Sequence, residues 1–443
     1  MAAREPAEAQ KLFHVVPGFK IELVASEPLL VDPVAMAFDE RGRLFVIEMR
    51  DYSEDDKANL GRVRLLEDVD GDGKFDRSSI YADGLSWPTA ICCYDGGVFV
   101  GAAPEIFYFR DTDGDGRADE KKHLFTGFAR SNVQGLFNSF QWGHDNRIHG
   151  ATSSSGATVL LGPDHPLAKT TVEADKAPLT LRGRDFAIEP RSLRIAPTSG
   201  GAQHGMTFDV WGTRYVCSNS DHIQQVMFED RYVARNPYLA APSSRVSIAA
   251  DGPQADVFRT SPVEPWRIVR TRLRVKGVVP GPVEGGGRAA GYFTSATGVT
   301  IYRGNAWPAE YYGYAIVGDV GGNLIHRKKL EPNGVPNVAR RVDEKVEFIT
   351  SEDIWFRPVQ FANAPDGTLF VADMYRETIE HPASLPPAIK KHLDLTSGRD
   401  RGRIYRIVPD GFKQPTLPKL DQASTADLVA TLAHPNGWHR DTA

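Results

Sequence analysis

RPVQFANAPDGTLFVADMYRETIEHPASLPPAIKKHLDLTSGRDRGRIYRIV, residues 357–408, brings together a hairpin, a polar insertion and a final strand in one stretch. From Pro358 to Ala372 apolar residues alternate on both sides of the turn Pro365-Asp366-Gly367, the pattern of an antiparallel hairpin. The alternation then stops. Asp373, Tyr375, Arg376, Glu380 and His381 crowd together ahead of a helix-like run from Pro387 to Leu393, and a last strand follows from Arg403 to Val408.

The same hairpin recurs through the chain as PVAMAFDERGRLFVIEM from Pro33, PTAICCYDGGVFVG from Pro88, NSFQWGHDNRIHGA from Asn138 and HGMTFDVWGTRYVC from His204. A looser copy runs from Gly298 to Gly318. Aligned on the turn, Pro33, Pro88 and Pro358 fall in one column. Six such units of short strands predict an all-β fold, a six-bladed β-propeller. The long gap between the fourth and fifth units has room for a seventh blade. Tyr232 to Pro265 is rich in Pro, Ser and Ala with little alternation, which favours an insertion there. FKIELVA, starting at Phe19, and GRIYRIV, starting at Gly402, are the strands left over from complete blades, and pairing them would close the ring without an open edge.

This reading places the propeller at 13–410, behind a disordered polar N-terminus at 1–12. A linker at 411–422 leads to 423–443, the start of a HEAT-like helical repeat. Ser424 to Asp427 has the form of a capping box, and Asn436-Gly437 is read as the end of that helix.

Composition agrees with short strands: 41 glycines and 30 prolines interrupt the 443 residues too often for long helices. A net charge of -5 gives no global field that would recruit nucleic acid or an anionic membrane. Cys92, Cys93 and Cys217 form neither a disulfide framework nor a zinc-site spacing. No apolar run is long enough to span a bilayer, and MAAREPAEAQ lacks the basic start and apolar core of a signal peptide. The chain is expected to be soluble as given, or a trimmed piece of an exported protein.

Two loops are nearly identical, one with Asp68, Asp70, Asp72 and Asp76, the other with Asp111, Asp113, Asp115 and Asp119. Carboxylates so spaced around Gly-permitted turns can converge on a hard cation, and Ca²⁺ is the expected ion. Solvated Asp-Gly turns are the alternative. In a propeller, equivalent positions of the inner strands surround one axis, and that column reads Val34, Thr89, Asn138, His204, Gly298 and Val359. His204 is the candidate general base, with Asn138 beside it and Arg357 two residues before its own blade's position. WRIVRTRLRVKG, from Trp266, reads as a strand with Arg270, Arg272, Arg274 and Lys276 on one face. It would be an anion-gripping wall or a solvated outer strand. Arg267, Arg288 and the pair His326-Arg327 lie at predicted strand ends, where the loops of one propeller face gather.

Taken together, FKIELVASEPLLVDPVAMAFDERGRLFVIEMRDY, EPWRIVRTR with GYFTSATGVTIYRG, and ADMYRETIEHP with SGRDRGRIYRIVP resemble the soluble glucose and sorbosone dehydrogenase-like propellers. The resemblance is closer still to the membrane-bound dehydrogenase-type domain of large exported bacterial proteins, where HEAT-like repeats and a c-type haem module follow. It spans Phe13 to Pro409. It implies oxidation of a sugar or alcohol with pyrroloquinoline quinone and Ca²⁺, electron transfer to a c-type cytochrome outside this chain, and a periplasmic setting.

On this view His204, Arg267, Arg357 and Asp373 are catalytic, and Asn138, Arg288, His326, Arg327 and Arg376 bind cofactor. Two family positions differ. Gln134 to Asn138 stands where the glucose dehydrogenases carry their base histidine, and Gly201 to His204 stands where they carry an Arg-Asn pair. A non-catalytic carbohydrate-binding or scaffold propeller, and a metal-dependent hydrolase or lactonase propeller, are the other classes the sequence leaves open.

Overall fold

The structure, a computed structural model, describes residues 2–170, 176–236 and 238–443. Its strands form six sheets around one axis. Blade 1 is Pro33–Phe38, Leu44–Glu48, Gly61–Glu67 and Arg77–Leu85. Blade 2 runs from Pro88–Tyr94 to Glu120–Phe128 and is extended at its edge by Ala157–Leu161 and Leu179–Thr180. Blade 3 holds Asn138–Trp142 to Arg194–Thr198, and blade 4 holds Met206–Phe208 to Arg245–Ser247. Blade 5 is built on Ala296–Ile301, Ala315–Asp319 and Leu324–Pro332. Blade 6 combines Pro358–Asn363, Leu369–Asp373 and Arg403–Pro409 with Phe19–Ser26.

The last sheet is the predicted closure. Phe19–Ser26 pairs antiparallel with Arg403–Pro409, Phe19 opposite Pro409 and Ser26 opposite Arg403. The aligned prolines share a structural reason. Pro33, Pro88 and Pro358 each begin an inner strand, and in each the pairing register shifts directly afterwards. Proline brings no N–H to a ladder, so it suits a strand start beside a bulge. The second strand of each blade is enclosed on both faces by neighbouring sheets, and Leu44–Glu48, Gly97–Ala102 and Leu369–Asp373 are buried at every position.

The long gap after the fourth hairpin completes blade 4 and then leaves the ring. Residues 248–295 form an insertion rather than a seventh blade. Its helix, Pro265–Val275, corrects the strand expected there. Glu264 occupies the N-cap and Pro265 the first turn, where a missing N–H costs nothing. The same arginines that alternate with apolar residues also recur at helical spacing. At that period Arg267 and Arg270 face inward while Arg272, Lys276, Val269 and Val275 are exposed.

Both ends of the chain dock onto the ring. Residues 2–12 are placed, not disordered: Pro6–Gln10 is helical, Ala9 packs with Ile354, Trp355 and Tyr375, and the Arg4 amide donates to the Tyr375 hydroxyl at 2.8 Å. Residue 1 lies outside the described residues. After Pro409, Thr425–Thr431 starts with the expected capping box of Ser424 and Asp427. Asn436 does not end that helix. It caps the next one, Gly437–Thr442, by accepting the Trp438 amide proton at 2.9 Å. This segment is fastened to the propeller by Asp441, which accepts two hydrogen bonds from Arg303 at 2.7 and 2.8 Å.

Candidate active site

Inner strands run the length of the axis, and a cavity opens at each end. Where the strands begin, Val34, Thr89, Thr297 and Val359 wall a cavity of about 260 Å³. Where they finish, a cavity of about 700 Å³ lies between Phe38, Trp142 and Phe208 and the C-terminal helices. The first cavity collects the chemistry. The helix Pro265–Val275 supplies Arg267, Arg270 and Arg274 to it, the segment after Asp373 supplies Met374, Ile379, Glu380 and Ser384, and the loop entering blade 4 supplies Gln203 and His204.

His204 is fixed from both sides. Asn138 donates through Nδ2 to the Gln203 carbonyl at 2.8 Å and accepts the Gly205 amide proton through Oδ1 at 3.3 Å. Gly205 adopts φ 120°, and a Cβ there would meet the Gly298 and Val299 amide nitrogens at 2.9 and 2.8 Å. Only glycine permits that approach without strain. The imidazole Nδ1 lies 2.6 Å from Thr297 Oγ1, and that hydroxyl donates to the Val359 carbonyl at 3.1 Å. With its one proton so used, the hydroxyl accepts from Nδ1–H, which leaves the lone pair on Nε2. Nε2 has no hydrogen-bond partner among the described residues, and His204 lines the cavity. Burial moves the imidazole from 6.5 down to about 4, so the ring is neutral at neutral pH.

Opposite stands an ion cluster centred on Glu264, held down at about 2 by Arg267, Arg357 and Arg259 despite its burial. The three guanidinium groups approach it at 3.4, 3.4 and 3.6 Å. Arg357 is wholly enclosed, and its donors are also spent on the carbonyls of Arg376, Val320 and Glu377 at 2.9, 2.6 and 2.6 Å. Asp373 sits behind it, its Oδ1 accepting the amide protons of Arg357 and Tyr375 at 2.7 and 3.0 Å. Burial raises the Asp373 carboxyl to about 7. Arg270 is paired with Glu380 at 2.6 Å, and Arg274 donates to the Ser384 carbonyl at 3.1 Å.

The residues expected from sequence therefore separate. His204 and Arg267 line the cavity, Asn138 positions the loop that carries His204, and Arg357 and Asp373 form the layer behind. The other four lie elsewhere. Arg376 binds Asp32 in the interior. Arg288 is an outer residue paired with Asp256 at 2.9 Å. His326 is held by Glu347 at 2.5 Å and packs on Phe293 and His222. Arg327 grips Asp343 with two bonds of 2.8 Å and covers Phe348. Glu264, absent from the expected site, has a signal in hindsight: Glu264-Pro265 is a helix start, and the arginines three, six and ten residues after Glu264 return to one face.

The two aspartate loops join third to fourth strands of blades 1 and 2, on the face away from the arginines. Their internal bonds match. Asp68 accepts the amide protons of Gly71 and Gly73 at 2.7 and 2.9 Å, and Asp111 those of Gly114 and Gly116 at the same distances. Carboxylates of Asp68, Asp70 and Asp76, and of Asp111, Asp113 and Asp115, approach closely enough to share an ion. Among the described residues these are the only groups of three such ligands; the hydrolase reading finds none at the axis.

Residues 5–411 match the model of a family described as a domain of unknown function, DUF7133. The chain belongs to the DUF7133 family. No curated protein matches this DUF7133 chain. Several solved structures are similar to it. A luciferin-regenerating enzyme is 11% identical, with 90% of this chain and 98% of that one covered and a TM-score of 0.49. The holo form of the pyranose dehydrogenase PQQ domain from Coprinopsis cinerea is 12% identical, with 89% and 97% covered and a TM-score of 0.47. The PQQ-bound aldose sugar dehydrogenase from Streptomyces coelicolor is 12% identical, with 89% and 100% covered and a TM-score of 0.45. The function of a DUF7133 propeller has to be argued from its cavity.

Proposed function

We propose that this propeller is an oxidoreductase of the sugar dehydrogenase kind, acting on a hydroxyl-bearing carbon of a sugar or related alcohol in the axial cavity. The observation that carries the reading is the orientation of His204. Its Nδ1 is tied to Thr297, its Nε2 makes no hydrogen bond among the described residues, and the neutral ring lines the cavity. In this reading Nε2 takes the hydroxyl proton while the carbon gives its hydride to an external quinone-type acceptor, leaving a carbonyl product and a reduced quinone. Met49, Leu136 and Val320 give the cavity an apolar wall.

Pyrroloquinoline quinone, the cofactor implied by the sequence resemblance, is a polycarboxylate. Its fit can be tested by charge. The lining carries Arg267, Arg270 and Arg274 against Glu284 and Glu380, a single positive charge in excess, and Glu380 already occupies Arg270. A polycarboxylate would set its further carboxylates against glutamates. The residues present do not match that cofactor, and no step is assigned through it. The resemblance alone supports two further proposals: a c-type cytochrome as the final electron acceptor, and a periplasmic setting. Among the described residues no helix is long and apolar enough to cross a membrane. Calcium, in the same reading, belongs to the two aspartate loops and is structural.

The test is dye reduction by the purified chain with a panel of sugars, sugar acids and alcohols and a soluble quinone. Turnover should depend on substrate and be lost in His204→Asn. Folded wild-type protein that reduces no acceptor with any of them would defeat the proposal.

A further inference from the structure

Arg267 is a buried cation with no close hydrogen bond, its Nε only 3.4 Å from Glu264 Oε2 in a shared ion pair. Its side chain is 5% exposed, its Nε meets no acceptor within hydrogen-bond geometry, and neither Nη makes a hydrogen bond among the described residues. Its neighbours in the cluster are satisfied differently. Arg357 has three carbonyl acceptors, and Arg259 donates to Ser261, Pro262, Gly321 and Asn323. Glu264 is one carboxylate shared by three guanidinium groups, so it cannot neutralise all of them. The group left over is the one on the cavity. It is also held in place, with its guanidinium 4.8 Å from the Trp266 ring and its helix fastened at Glu380 and Ser384 by Arg270 and Arg274.

A buried guanidinium with open donors is costly, because its desolvation is not repaid by hydrogen bonds. A carboxylate offers the matching fork of acceptors. The sign and size of the excess decide how many: one positive charge on the lining suits one carboxylate. Of the other lining groups, the Glu284 carboxylate makes no hydrogen bond or ion pair among the described residues and would repel a second carboxylate, and three more are neutral. Gln134 has a free carboxamide oxygen, and the side chains of Asn219 and Ser295 make no hydrogen bond among the described residues. Such groups recognise hydroxyls and would leave a second charge unpaired.

We propose that the cavity takes a monocarboxylated sugar, a sugar acid of the aldonate or uronate kind, with its carboxylate on Arg267 and a hydroxyl toward His204. The proposal rests on the reading of this cavity as the substrate site. The carboxylate is bound and not changed.

The experiment is calorimetric titration of the full chain with glucuronate, gluconate, glucose and pyrroloquinoline quinone in separate arms. At least one of the two sugar acids should bind saturably and glucose about tenfold to a hundredfold more weakly, the loss expected when a charge-assisted hydrogen bond goes unmade. Arg267→Gln should weaken the acid by a similar factor and leave glucose unchanged. Arg267→Lys keeps the charge without the fork and should fall between, which keeps the test meaningful if the glutamine variant fails to fold. Dye reduction by the same preparation is read in parallel. An inactive protein that still binds sugar acid through Arg267 would therefore defeat the dehydrogenase reading and leave the ligand standing. Equal affinity for glucose and both acids, or an Arg267→Gln variant with undiminished acid binding, would overturn the proposal. Arg267-dependent binding of the quinone with none of the sugar acids would also overturn it and assign the arginine to a cofactor.

Discussion

Arg376 and Asp32, 344 residues apart in the chain, form a two-bond ion pair at 2.6 and 2.8 Å with neither side chain exposed. It joins the segment between the second and third strands of blade 6 to the start of blade 1, across the seam of the ring. Removing one member strands the other charge in the interior. Arg376→Met should therefore destabilise the fold by about 3–5 kcal/mol. Joining it to Asp32→Asn should recover part of that loss, a coupling that a double-mutant cycle of denaturant midpoints would measure. Additive losses would show that the pair is not an energetic unit.

His204→Asn should lower turnover by about a hundredfold to ten-thousandfold, the usual share of a general base. Since the parent imidazole titrates at about 4, its rate should hold down to that region rather than fall near 6.5. Stability carries the same sign. Between about 4 and 6.5 the unfolded chain binds a proton at this residue that the folded one does not, so stability is full above 6.5 and is lost as pH falls toward 4. Thermal melts across that range should show a shallower pH dependence in the asparagine variant.

Asn138→Ala would leave the Gln203 carbonyl and the Gly205 amide without their partner, at a cost of about 1–3 kcal/mol. A looser loop also admits water to His204. The acid limb of the rate profile should move from about 4 toward 6.5, with kcat reduced more than KM raised. A variant that loses stability but keeps the parent profile would limit Asn138 to a structural role.

The aspartate loops give a prediction of a different kind. Calcium should raise the melting temperature and a chelator lower it, with the difference reduced in Asp68→Ala and again when Asp111→Ala is added. Turnover per folded molecule should not change, because the loops lie on the opposite face from His204. Identical melts with calcium and chelator would exclude a bound ion of structural weight.

Much of the ring was legible because its signals are local. Each hairpin alternates on its own, and Pro33, Pro88 and Pro358 mark strand starts wherever they stand. The closure was legible because two strands were left without partners. The helix Pro265–Val275 was misread because its arginines satisfy both periods, and the inward face of this helix is charged where a helix usually turns its apolar side in. The site was legible only in part for the same reason. His204 follows from ring position, but whether an arginine has spare donors depends on the carbonyls around it, and those come from distant segments. Nothing local distinguishes Arg357, with every direction filled, from Arg267, whose Nε meets no acceptor within hydrogen-bond geometry.

The pairing of Phe19–Ser26 with Arg403–Pro409 also sets an order of assembly. During synthesis the early strand emerges long before its partner and must wait, as an unpaired edge, while five blades are made. Blade 6 and the cavity wall at Val359 cannot be finished until the last strand leaves the ribosome. Truncation just before Arg403 should therefore cost the whole ring its latch, and a nascent chain halted there should be captured by chaperones that a chain released past Pro409 escapes.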